Sequence, residues 1–122
     1  MKTITINRKK EEIAMIDFVA MEEKIIPNFK GGEGSFAVKM FADDANRILR
    51  GRLVPGSSIG MHCHDTSSEI IYILSGVGTA ILEGKEEILT AGQCHYCPKG
   101  GTHTLMNKGT EDLIFFAVVP EQ

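Results

Sequence analysis

An all-β sandwich or barrel is the fold this sequence predicts, and two observations carry the prediction. Over short runs, apolar residues alternate with polar or small ones at period two, as strands with one buried face require. Between these runs stand clusters of glycine, proline, asparagine, aspartate and serine, the residues of tight turns. There is no internal repeat, linker or low-complexity tract.

Taken in order, Thr3-Ile4-Thr5-Ile6 suits a short strand. Asn7 to Glu12 is charged and reads as a solvated turn, with no special role for Arg8, Lys9 and Lys10. Ile13 to Met21 is apolar and fits a strand or a short helix, which periodicity alone does not separate. Pro27 interrupts Ile25-Ile26 before a long helix can form. Lys30-Gly31-Gly32-Glu33-Gly34 is a loop, and without a following helical pattern it is not a phosphate cradle. From Ser35 the strands become clear. Phe36, Val38 and Met40 alternate with Ala37, Lys39 and Phe41. After a turn at Asp43 to Asn46, Arg47 to Val54 is a strand. Leu49, Gly51 and Leu53 lie on one side of it, Ile48, Arg50 and Arg52 on the other. Arg50 and Arg52 could bind an anion, but a solvent-facing sheet surface is the simpler reading. Thr79 to Leu82, Glu87 to Thr90, Gln93 to Cys97, Thr102 to Met106 and Asp112 to Val119 follow as strands. Turns at Glu83 to Glu86, Ala91-Gly92, Pro98 to Gly101 and Asn107 to Thr110 separate them.

Composition narrows the function classes. The 122 residues suit a single domain, hydrophobic content is 43% and charged content 24%, as in an ordinary globular chain. A net charge of −3 with no basic face argues against nucleic acid. No apolar run is long enough to span a bilayer, and Met1 to Ile6 is not a secretion signal. Three cysteines, an odd number, are then expected as reduced thiols in a cytoplasmic protein.

The chemistry concentrates between Gly56 and Gly76. His62 and His64 are two apart, so on a strand both imidazoles point to one face. A polar turn, Asp65 to Ser68, leads to Glu69 at the head of an apolar strand, Ile70 to Leu74. A carboxylate facing a core there is costly unless a cation joins it. Two imidazoles and one carboxylate on adjacent strands suit a divalent metal.

These residues carry a family resemblance. Gly56, His62, His64, Glu69 and Gly76 resemble the first cupin motif at every fixed position. Gly92, Pro98, Gly100, His103 and Asn107 resemble the second in full, and Val77 to Ala91 resembles the short segment between motifs in small microbial cupins. Residues before Arg47 match nothing diagnostic. The resemblance implies a double-stranded β-helix, or jelly-roll, barrel. From length and apolar content one domain over 1–122 is expected, with strands and a loop of 1–34 packed on a barrel core of 35–119. The resemblance also implies one divalent ion (iron, manganese, nickel, cobalt or zinc) held by His62, His64, Glu69 and His103. His103 heads a strand after the Pro98 to Gly101 turn, which can aim it rigidly. Three neutral nitrogens and a carboxylate leave two positions of an octahedron open, whereas structural zinc sites are more often closed and cysteine-rich. The plainer reading of His62 and His64 is a surface or core pair. For Glu69 it is an ion-pair partner, and for His103 a hydrogen-bonded strand residue. The motif glycines and Pro98 serve turns, and Asn107 serves local turn hydrogen bonds.

Cys94 and Cys97 look like half of a redox or zinc motif, but three apart on a strand they face opposite ways. Cys63, between the histidines, should face away from the metal. His95 shares a face with Gln93 and Cys97, and Cys94 shares the other with Tyr96. Either set can line the pocket. A hydrogen-bonded or half-exposed side chain is the plainer reading of His95. Ile71 and Ile73, in phase with Glu69, are the first candidates for the pocket wall, ahead of Tyr96, Arg50 and Met40.

Similar small cupins include dioxygenases, isomerases, lyases and decarboxylases, and the wall rather than the ligands selects the reaction. The expected function is binding of a small anionic or hydroxylated molecule at the metal, with dioxygenase-like chemistry as the first guess. The alternatives are a non-catalytic binding or sensing protein and a metal-dependent isomerase or decarboxylase. The metal should be lost as pH falls below about 6, because the imidazoles must be neutral. A homodimer is expected, since Ile70 to Leu74 is apolar on both faces and Thr3 to Met21 carries more apolar residues than a free tail should expose.

Overall fold

The computed structural model describes the backbone of residues 4–5 and the whole of residues 15–122. Within them run strands β1 (Ile4–Thr5), β2 (Lys24–Pro27), β3 (Ser35–Ala42), β4 (Asn46–Leu53), β5 (Ser58–Cys63) and β6 (Glu69–Ser75). Then come β7 (Val77–Leu82), β8 (Lys85–Thr90), β9 (Cys94–Cys97), β10 (Thr102–Met106) and β11 (Leu113–Pro120). A single 3-10 turn, Phe29–Gly31, interrupts the strands among the described residues.

The strands form two sheets. The larger has the order β1-β3-β4-β11-β6-β9, with β2 also paired to β3, and the smaller has the order β5-β10-β7-β8. From β5 onward the chain passes repeatedly from one sheet to the other, the winding of a jelly roll. No backbone ladder joins the two sheets among the described residues. Every ladder is antiparallel except β1 with β3, where Ile4 lies opposite Phe41.

Period-two alternation decides what is buried. Along β11, Leu113, Phe115, Ala117 and Val119 face the core while the residues between them are half-buried. Leu49, Gly51 and Leu53 of β4 face the same interior, as their spacing predicts. The rings of Phe36 and Phe115 stack at 6.0 Å and 3° in that core. Gly51 makes the room, because a Cβ there would run into both rings. Leu53, Ile71, Ile73, Leu105 and Leu113 belong to the same cluster.

Several expectations shift. The hairpin between β7 and β8 turns on two residues, Glu83 and Gly84, both with positive φ (48° and 78°), so Lys85 and Glu86 are already strand. Met15 to Met21 is neither strand nor helix. There the Asp17 carboxylate accepts the Val19 and Ala20 amides and closes a turn instead. Ile13 and Ala14, and the charged run Asn7 to Glu12, lie outside the described residues. Pro27 ends an edge strand, where its missing N–H costs no ladder bond.

Candidate metal centre

His62 and His103 meet because β5 and β10 pair with these two residues directly opposite each other. His64 lies just beyond β5, in phase with His62. Its backbone is tied to the Pro98–Gly101 turn by His64 N–H to Gly101 O (3.0 Å) and Gly100 N–H to His64 O (2.6 Å). Glu69 comes from the other sheet, at the head of β6 and opposite Cys97 of β9. The cluster therefore sits between the two sheets.

The four donor atoms all lie within 4.8 Å of one another. His64 Nε2 is 3.1 Å from His62 Nε2, 3.0 Å from His103 Nε2 and 2.9 Å from a Glu69 oxygen, which is 3.0 Å from His103 Nε2. An ion about 2.1 Å from each donor sets neighbouring ligands at right angles about 3.0 Å apart, against roughly 3.4 Å in a tetrahedron. The cluster could thus hold a divalent metal ion, and these four edges are nearer the right-angled spacing than the tetrahedral one.

The far side of each imidazole is also engaged. His62 Nδ1 is 2.7 Å from the Gly60 carbonyl and His64 Nδ1 is 3.0 Å from Ser67 Oγ. His103 Nδ1 is 3.0 Å from His95 Nε2, and His95 Nδ1 is 2.6 Å from Glu87 Oε1. Such contacts fix ring orientation and leave Nε2 facing the centre. Burial lowers the His62 pKa below its ordinary 6.5, outweighing the Gly60 carbonyl, which favours the protonated form. For Glu69, burial pushes the carboxyl up, but hydrogen bonds and charge from His103 and His64 outweigh it and bring it down to about 2.

A cavity of about 520 Å³ opens over the cluster. Phe36, Met40, Leu49, Ile59 and Phe115 give it an apolar wall, while Lys30, Arg47, Asp65 and Glu121 supply charge at exposed positions. Met40 is where the sequence reading puts it. Ile71 and Ile73 are buried in the core and do not line the cavity, because β6 runs inward and only its first residue reaches the site. Tyr96 is exposed on the outer face. Arg50 and Arg52 also face outward, where Arg52 pairs with Glu23 at 2.7 Å and Asp112 at 3.5 Å. Arg47 and Lys30 went unnoticed in the sequence. Arg47 was legible in principle, being in phase with the inward Leu49, Gly51 and Leu53.

The question of β9 is settled: His95 and Cys97 face inward and are fully buried, and Cys94 and Tyr96 face out. His95 does not line the cavity; it stands behind His103. Burial raises the Cys97 thiol to about 11. Cys63 is exposed, with Sγ 3.2 Å from Asp65 Oδ1. Asn107 makes its turn bond, accepting the Gly109 amide at 2.9 Å, and also donates to the Leu53 and Glu111 carbonyls at 2.7 and 2.8 Å.

Comparison with known proteins agrees with this geometry. The Cupin domain family model matches residues 49–119. An oxalate-binding protein of Thermotoga maritima is 35% identical over 100 residues, which cover 77% of this chain and 83% of that protein. The crystal structure of a predicted oxalate decarboxylase from Thermotoga maritima superposes with a TM-score of 0.84 at 31% identity, over 88% of this chain and 99% of that one. An RmlC-like cupin from Shewanella frigidimarina shares the fold, with a TM-score of 0.76 at 15% identity over 91% of this chain and 93% of its own. With the two-sheet winding, the converging histidines and glutamate, and these matches together, the chain belongs to the cupin family.

Proposed function

We propose that this cupin binds a small dicarboxylate, oxalate or a close analogue, at one divalent metal ion held by His62, His64, Glu69 and His103. The observation that carries the reading is the convergence of four donor atoms, all within 4.8 Å of one another and with four of their six separations at 2.9 to 3.1 Å, on a cavity that also holds Arg47 and Lys30. A bound divalent ion would supply a positive centre for a carboxylate oxygen, since a single Glu69 carboxylate leaves a net positive charge in a low-dielectric site. The chain's own residues do the rest. Gly60 and Ser67 hold the His62 and His64 rings, Arg47 and Lys30 add positive charge, and the apolar wall limits the water that competes with the anion. The oxalate-binding relative supports the choice of ligand.

Binding without turnover is preferred, because beyond the candidate ligands and Ser67, which is engaged by His64, the buried wall is apolar and the carboxylates of Asp65 and Glu121 are exposed. Dioxygenase-like chemistry is the second reading, favoured by that same wall, which suits a small apolar reactant. We also infer a cytoplasmic protein, which suits three free thiols. A homodimer is inferred from the exposed apolar residues of β6 and β9.

Titration calorimetry tests the proposal. Oxalate should bind at one per chain to protein loaded with manganese or cobalt and should not bind to metal-free protein. Arg47→Ala should weaken the loaded complex by about tenfold, the scale of one charge-assisted hydrogen bond. Equal binding with and without metal, or none with any of the five candidate ions, would reject it. Oxygen uptake by the iron-loaded protein with oxalate or small hydroxy and keto acids would move the reading to an oxygenase.

A further inference from the structure

A candidate ligand histidine must present a bare Nε2, so a neutral ring carries its one proton on Nδ1. For His62 and His64 that N–H meets an oxygen, the Gly60 carbonyl or Ser67 Oγ. His103 differs, because its Nδ1 faces another imidazole nitrogen, His95 Nε2, at 3.0 Å. This contact has two possible polarities. If His95 Nε2 donates, a neutral His103 carries its proton on Nε2, where it blocks a metal. If His95 Nε2 accepts, His103 Nε2 is bare.

The far side of His95 decides between them. Its Nδ1 is 2.6 Å from Glu87 Oε1. A carboxylate can only accept, so the proton of a neutral His95 lies on Nδ1 and its Nε2 is left to accept from His103. The rings of His95 and His103 are nearly parallel, 11° apart with centroids at 5.3 Å, a geometry that accommodates an in-plane N–H···N bond. His95 is fully buried, so water does not compete for its nitrogens. Glu87 is half-exposed and reaches in from the edge strand of the smaller sheet. The path runs from β8 through β9, the edge of the larger sheet, back to β10, where no backbone ladder links the sheets.

We propose that Glu87, acting through His95, selects the metal-binding tautomer of His103. The proposal rests on the reading of His103 as a metal ligand. Glu87 and His95 are positioning residues in it, and neither lines the cavity.

The test uses Glu87→Met, which keeps the length and removes the acceptor, and Glu87→Gln, whose amide can take either polarity. Zinc affinity should fall by about ten- to a hundredfold in Glu87→Met, the scale of outer hydrogen-bond partners of metal ligands. Glu87→Gln should fall between it and the parent. In metal-free protein, nitrogen–proton correlation spectra should place the His95 proton on Nδ1 in the parent and move it toward Nε2 in Glu87→Met. The metal-free melting temperature should be unchanged, which separates this role from a structural one. Unchanged zinc affinity, or an unchanged His95 tautomer, overturns the proposal; if Glu87→Met does not fold, Glu87→Gln is judged by the same readouts. The His95 spectrum needs no metal. A parent that binds none of the five candidate ions therefore rejects the metal-site reading, while the spectrum still decides what Glu87 does to His95.

Discussion

At the residue scale the site turns on Glu69. Its carboxyl is held at about 2, below the ordinary 4.5, because His103 and His64 outweigh the cost of burial. A depressed carboxyl contributes stability that is present above its unfolded pKa and is lost as pH falls through the folded one. In metal-free protein the contribution of Glu69 should therefore be full above about pH 4.5 and gone near pH 2. The shift corresponds to on the order of 3 kcal/mol. Denaturant unfolding of the parent and Glu69→Gln checks this: the gap should be widest above pH 4.5 and close toward pH 2. A gap that stays constant with pH would contradict it. His62, whose pKa burial lowers, stays neutral below pH 6.5, so its lone pair remains available in stronger acid than an ordinary histidine allows. All four clustered residues were legible in the sequence, because strand parity and motif spacing are local. Glu87 was not, since it meets His95 only when the edges of two sheets come together.

At the element scale, the site depends on how the loop after β2 lies over β5. Glu33 and Ser58 exchange two bonds, Ser58 N–H to Glu33 O and Glu33 N–H to Ser58 Oγ, each 2.9 Å. Gly32 and Gly60 let the two backbones touch. A Cβ on Gly60 would strike the Lys30 carbonyl and come within 2.8 Å of Gly32 N, and one on Gly32 would strike the Ser58 carbonyl. Backbone cannot yield as a flexible side chain does, so Gly60→Ala should displace the segment that brings Phe29 and Lys30 to the cavity. We expect a loss of about 1–3 kcal/mol in stability, together with weaker oxalate binding by the loaded protein. Chemical denaturation and calorimetry would show it, and a variant unchanged in both would refute the docking argument. The strands read from Ser35 onward were legible to within a residue or two, because alternation marks the buried face, whereas β2 was not read as a strand. This loop was recognised as a loop, but its glycines were unassigned, since what they approach lies on a distant strand. The wall was misassigned for a related reason. Phase told which way Ile71 and Ile73 point, but not that the cavity ends at Glu69.

At the scale of the whole molecule, the outer face of the larger sheet sets the question of association. Part of that face is covered, where Phe18 packs edge-on against Phe116 of β11 at 5.9 Å. Next to it β6 and β9 are bare. Ile70, Tyr72, Leu74 and Tyr96 are between 39% and 54% exposed, and Ile70 lies directly opposite Tyr96 in the ladder. The strand length of β6 is thus apolar on both faces: Ile71 and Ile73 feed the core, and their neighbours meet solvent. An apolar patch at the edge of a sheet is what a second copy covers in an isologous dimer, and β9, which has no ladder partner beyond β6 among the described residues, offers its edge to the same contact. Light scattering at micromolar concentration should give twice the 13.4 kDa of one chain. Tyr72→Glu should shift the mass to that of one chain, because a charge in the middle of the contact would be desolvated without a partner. The cavity and its candidate ligands lie on the other side of the sheet, so metal content should not change in that variant. A parent that is monomeric at micromolar concentration would leave the face without its proposed cover. A Tyr72→Glu protein still at twice the chain mass would move the contact elsewhere on the molecule.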